Sequence, residues 1–139
     1  MKRDARLHGL SSDHHHALKL AFDIRAASAQ DAVTPELVSR VRGVFDAELL
    51  PHFDVEESVL LEGLEAVGEH ALAARTRREH VELRADLAAA EQGDLARLVT
   101  FADRLTAHVR FEEGELFAAC ETRLPAAVLD EAQRRAPKH

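Results

Sequence analysis

An all-α fold is predicted for this chain: an up-down-up-down bundle of four helices with a short extra helix at the C-terminus, all within a single domain spanning residues 1–139. Three observations lead there. Of the 139 residues, 25 are Ala, the strongest helix former. No stretch reads as a strand. The 6 Gly and 4 Pro fall where they divide the chain into long helical segments joined by short turns, which makes successive helices antiparallel neighbours.

Each element has its own signal. Ser11-Ser12-Asp13 offers N-cap side chains before Ala17, Leu18, Ala21 and Phe22, so a first helix is expected over about 12–29. Thr34-Pro35-Glu36 combines a cap, a proline at the first helical position and an acid against the dipole, and starts a second helix that runs to about 63. Pro51 lies inside it and predicts a kink, because proline removes a ladder hydrogen bond. Gly63 and Gly68 bracket a break before a third helix over about 69–91. Gly93-Asp94 supplies a turn and a cap for a fourth over about 94–122, and Pro125 opens a last short helix to about 135. The tail from Ala136 to His139 is expected to fray.

Composition excludes several function classes. The net charge of −7 argues against nucleic acid or anionic lipid as the main partner. One Cys allows neither an internal disulfide nor a cysteine-rich zinc site, and the lack of Tyr removes tyrosyl-radical chemistry. No apolar run reaches membrane-spanning length, and Met1 to Arg6 is not followed by the apolar core of a secretory signal, so the expected compartment is the cytoplasm.

One pattern occurs twice. His52-Phe53-Asp54-Val55-Glu56-Glu57 and His108-Val109-Arg110-Phe111-Glu112-Glu113 both read His, three residues, Glu-Glu, and each is followed two residues later by a pair of bulky apolar residues. Residues four apart share a helix face, so His52 with Glu56, and His108 with Glu112, each aim a nitrogen and a carboxylate at one point. A lone pair of this kind is usually a surface contact; two copies on apolar stripes are not. Glu57 and Glu113 sit about 100° around the helix and are expected to face solvent or to back up the site.

His80 lies near the apolar stripe of the third helix. In the first helix His14, His15 and His16 cannot all point inward, and periodicity does not choose among them. At about 1.5 Å rise per residue, the turns bring Glu56, His80, His108 and the helix-one histidines to one height of the bundle. A buried cluster of four His and two carboxylates is metal-binding by chemistry, suited to iron, zinc, copper or nickel. Neither the Glu-x-x-His of ferritin-like sites nor the His-Glu-x-x-His of zinc proteases is present.

The Asp-His-His lead-in of the first helix, His52 with Glu56, His80, and His108 with Glu112 together resemble the hemerythrin-like, or HHE cation-binding, domains over nearly the whole chain. The resemblance implies a four-helix bundle holding two iron ions, bridged by the two carboxylates and an oxo or hydroxo group, with an open position for dioxygen. It implies His15, which precedes Leu18 by three, as the first-helix ligand, alongside His52, Glu56, His80, His108 and Glu112. The respiratory members carry two third-helix His four apart, whereas here Thr76 and Arg84 flank His80 and one imidazole is missing. Two six-coordinate ions need about twelve donors, which leaves about two places open for water, Glu79, another first-helix His or an exogenous molecule.

The expected function is therefore a non-haem di-iron protein that binds or senses dioxygen or nitric oxide. The alternatives are iron homeostasis or iron–sulfur repair, a di-iron peroxidase, or an interaction module stapled by metal. No acid–base group beyond the cluster argues for catalysis. All six Phe residues are expected in the core, Cys120 as a small buried hydrophobe, and His8, His70 and His139 as incidental.

Overall fold

The computed structural model describes residues 2–137, which are helical apart from short turns and contain no strand. A 3₁₀ turn over Ala5–Leu7, capped by the Asp4 carboxylate on the Arg6 amide, leads into α1 (His8–Ala29). A second rod is assembled from α2 (Pro35–Val44), α3 (Leu50–Val55) and α4 (Leu61–Ala66), with π turns over Phe45–Leu49 and Glu56–Leu60 between them. Next comes α5 (His70–Glu91). The fourth rod joins α6 (Ala96–Phe111) to α7 (Phe117–Arg123) through a π turn over Glu112–Leu116, and α8 (Ala126–Arg135) follows.

The helix starts follow side-chain chemistry, with one displacement. Thr34 caps α2 through its hydroxyl on the Leu37 amide, with Pro35 in the first turn. The Ser11-Ser12-Asp13 run does not cap α1, which begins at His8 because Leu7 and Leu10 already pack inside. These polar side chains are used elsewhere: the Ser11 hydroxyl donates to Glu113, and Asp13 accepts from His52.

Pro51 falls in the first turn of α3, directly after a π turn, so the widened ring at Phe45–Leu49 relieves the crowding its pyrrolidine would impose on a regular turn. Gly68, at φ +91°, makes the break before α5, since the left-handed region suits glycine. Gly63 does not break the chain. It lies within α4, where a Cβ would come within 3.0 Å of Leu124 and Val128, so the absent side chain lets α8 approach. At the C-terminus the Ala136 amide still donates to Ala132; Lys138 and His139 lie outside the described residues.

α6 packs against both α1 and α5, and the second rod closes against α5 through α2 and α4. Two apolar layers form. One contains Ala17, Ala21 and Ile24 of α1, Phe45 and Phe53, Leu83 and Leu87, and Phe101 and Leu105. The other contains Leu10, Leu60 and Leu64, Ala73, Leu116 and Phe117, and receives Leu129 and Ala132 of α8. α1 and α5 run from the second layer to the first; the second and fourth rods run the reverse way. Asp86, fully buried on α5, pins α6 by accepting from Arg97 Nε at 3.0 Å and Nη2 at 2.7 Å.

Five of the six phenylalanines are core residues; Phe22 is not, at 67% exposed on the outer face of α1. Cys120 is buried, and burial together with the Glu56 and Glu112 carboxylates pushes its thiol pKa up. No described helix is long and apolar enough to cross a membrane.

Candidate metal centre

Between the two apolar layers lies a layer of buried polar groups: Asp13 and His14 from α1, His52 and Glu56 from the second rod, Thr76 and His80 from α5, and His108 and Glu112 from the fourth rod. Glu56, Glu112 and His80 have no solvent exposure. Isolated charges in such a place cost several kcal/mol each, on the order of what a whole domain has to spare, so their convergence requires a partner.

Two sets of four donors lie within 4.8 Å of one another: His14, His52, Glu56 and Glu112, and Glu56, His80, His108 and Glu112. Both sets use both carboxylates. His52 Nε2 is 3.0 Å from Glu56 Oε2, and His80 Nε2 is 3.1 Å from Glu56 Oε1. His14 Nε2 is 2.7 Å from Glu112 Oε1, and His108 Nε2 is 2.9 Å from Glu112 Oε2. Each carboxylate thus offers one oxygen to each set. Both oxygens of Glu56, Glu112 Oε2, His80 Nε2 and His108 Nε2 are buried without a hydrogen-bond partner of good geometry. Orphaned oxygen and nitrogen donors converging from three rods, with His14 of the fourth beside them, are what a cation site requires, and this donor set suits first-row transition ions.

The other ring nitrogen of every imidazole is held by a further carboxylate. Nδ1 of His52 is 2.9 Å from Asp13, and Nδ1 of His108 is 2.6 Å from Glu79. Nδ1 of His14 is 2.6 Å from Glu113, and Nδ1 of His80 is 2.6 Å from Glu57. With Nδ1–H donating to a carboxylate, each Nε2 lone pair is directed at the centre, the usual arrangement of metal-bound histidine. The π turns that start at Glu56 and Glu112 sit where each Glu-Glu doublet turns one carboxylate inward and the next sideways onto a neighbouring rod.

Protonation in the metal-free protein follows from this geometry. Burial opposes the charged form of His80, but the facing carboxylates of Glu112, Glu56 and Glu57 outweigh it and lift its pKa to about 10. Burial likewise opposes His108, and Glu112 and Glu79 raise it to about 9. His14 and His52 are raised against the same burial cost, by Glu112 and Glu113 and by Glu56 and Asp13 respectively. Burial would raise Glu112, yet the surrounding imidazoles, His108 foremost, hold it well below the usual carboxylate range.

The structure brings His52, Glu56, His80, His108 and Glu112 together and leaves His15 out. His15 is exposed on α1, beside a surface depression with His16, Lys19 and Glu48. His14 takes the inward place, 100° around the helix, because the buried face of α1 runs through Ala17, Ala21 and Ile24, whereas Leu18 is 38% exposed. The apolar residue three positions on that marks the inward histidine is therefore Ala17, not Leu18. His16 pairs with Glu48 at 2.8 Å on the surface, and His8 and His70 are exposed. Glu79 points away from the centre, onto His108. Asp13 and Glu79 as imidazole-holding residues were missed by sequence reasoning, although a signal existed: each is an acid immediately before an inward His, Asp13-His14 and Glu79-His80.

Beside His14, His52, His108 and Glu112 lies a cavity of about 10 Å³ whose other walls include Ala17, Leu49, Phe53, Leu105 and Val109. Phe53 stacks on His80 with ring centroids 3.9 Å apart, and Phe117 stacks on His14 at 5.3 Å.

The family model described as the hemerythrin HHE cation-binding domain matches residues 6–120. Searches of the curated proteins and of the solved structures gave no match.

Proposed function

Since the chain belongs to the hemerythrin HHE cation-binding domain family, we propose that it holds two iron ions in an up-down-up-down four-helix bundle and binds or senses dioxygen or nitric oxide there. The observation that carries the reading is the sharing of Glu56 and Glu112 by both donor sets. Two carboxylates that each offer one oxygen to either side are the pattern of a pair of ions, not of one. The reversal of direction between successive rods, seen in the order in which they cross the two apolar layers, supports the bundle topology.

Bound iron would supply reversible one-electron chemistry and a coordination position for a small ligand. The residues define the rest. His14 and His52 would hold one ion, His80 and His108 the other. Thr76 and Arg84 stand one turn either side of His80, Thr76 with its hydroxyl on the Leu72 carbonyl, so α5 supplies one imidazole. The remaining donor places are for water or an exogenous ligand. The cavity at His14, His52 and His108 has room on the order of one water and is lined equally by ionisable and apolar side chains.

Metal analysis of native protein with its visible spectrum under air, dithionite and azide tests this. Two irons per chain and a spectrum that cycles with oxygen and shifts with azide are expected. Stoichiometric zinc without iron overturns the dioxygen reading and leaves the fold. Iron with no optical response to any small ligand leaves a metal-stapled module instead.

A further inference from the structure

Outside the six inward donors, Arg75 at the surface reaches a centre-facing imidazole through a single carboxylate. We infer that Arg75 is a positioning residue for His108, acting through Glu79; this rests on the reading of the cluster as a metal site. The Arg75 Nε–H donates to Glu79 Oε2 at 2.9 Å, and the other oxygen of the same carboxylate, Oε1, accepts from His108 Nδ1 at 2.6 Å. Glu79 therefore has one oxygen for each neighbour, and its orientation is fixed from both ends.

Arg75 is itself braced. Its guanidinium carbon stands 3.9 Å over the centroid of the buried Phe111 ring, and Nη1 lies 3.6 Å from Glu115. Phe111 precedes the shared carboxylate Glu112, so α5 and the fourth rod meet here through a cation stacked on an aromatic face and through a charge-assisted chain that ends on a ligand ring. The other arginines near the outer carboxylates do not reproduce this. Arg84 comes no closer than 3.6 Å to Glu57, and Arg3 lies 3.6 Å from the Glu113 carboxylate while donating at 2.7 Å to the Glu113 backbone carbonyl. Of these three arginines, Arg75 is the one whose side chain lies at hydrogen-bond distance from an imidazole-holding carboxylate.

Loss of Arg75 frees one oxygen of Glu79 to rotate toward water. His108 Nδ1 then loses its fixed acceptor, and the ring loses its aim. Lys at this position keeps the charge but lacks the planar fork that bonds Glu79 while lying on Phe111.

The test uses the full chain loaded with zinc, which is diamagnetic, and follows the imidazole ring signals by ¹H–¹⁵N NMR in wild type, R75M, R75K, E79Q and R84M. R75M and E79Q are expected to move the His108 Nδ1–H signal and speed its exchange, leaving the His14, His52 and His80 signals in place. R75K gives an intermediate shift, and R84M leaves His108 unchanged. Zinc loss to a competing chelator should accelerate about 10-fold in E79Q and by a smaller factor in R75M, for one of two ions only. An unchanged His108 signal in R75M, equal movement of all four rings, or the same effect from R84M overturns the inference while leaving the metal site intact. Wild-type protein that takes up no zinc and no iron overturns the metal reading and this inference with it.

Discussion

In one half of the cluster His52 leans on Asp13, a carboxylate 2% exposed; in the other His108 leans on Glu79, whose side chain is 19% exposed and braced by Arg75 at the surface. The two halves otherwise follow one scheme. An acid and a His stand together on α1 and again on α5, and the acid holds the histidine of the next rod. A His-x-x-x-Glu-Glu run stands on the second rod and again on the fourth, and its last Glu crosses to hold the His of the opposite half. The cavity lies against His14, His52 and His108, whereas His80 is covered by Phe53. A repeat in sequence thus makes the inward donors equivalent, while depth in the bundle makes their surroundings unequal.

The most severe way to break the comparison is to remove what the halves share. Glu112→Ala is expected to abolish binding of both ions, read as metal per chain falling from two to near none. Removing a ligand of one half separates them. His14→Ala should leave one ion per chain, and His15→Ala should leave two, because His15 faces solvent. The outer carboxylates come next. Asp13→Asn and Glu79→Gln should each weaken one ion, about 100-fold for the buried Asp13 and about 10-fold for the partly exposed Glu79, measured by chelator competition.

pH sharpens the contrast in the metal-free protein. A histidine whose pKa is raised on folding contributes fully below its unfolded value and stops contributing as pH rises through its folded value. With His108 at about 9 and His80 at about 10, the urea midpoint of metal-free protein should fall as pH rises from about 7 toward 10. Metal-loaded protein, whose imidazoles are already neutral, should not follow that decline. The smallest effect is expected far from either half: Phe22→Ser, at a position 67% exposed, should change stability by no more than about 0.5 kcal/mol in a thermal melt.

Much of the site was legible because its residues carry their spacing with them. His52 with Glu56 and His108 with Glu112 need only a regular helix to share a face, and the helical composition makes that certain. His14 was not legible. The inward stripe of α1 is built from Ala17 and Ala21, residues too small to stand out against Leu18 and Phe22, which turn outward. Asp13 read as a cap because acids and serines before an apolar run usually are caps; the packing of Leu7 and Leu10 starts the helix earlier and leaves Asp13 inside it. Gly63 read as a break because nothing local reveals that Leu124 and Val128 will press on it.

By itself the sequence determined the helical class, the places of most turns, and five of the six inward donors, since all of these depend on local propensity and on spacing along a single helix. Only the tertiary structure decided which histidine α1 turns inward, which carboxylate holds which imidazole, and how deeply each of those carboxylates is buried. Those depend on the rotation of each rod about its axis and on contacts between rods far apart in the chain, and a rotation of one residue, about 100°, exchanges His14 for His15 without changing any local preference.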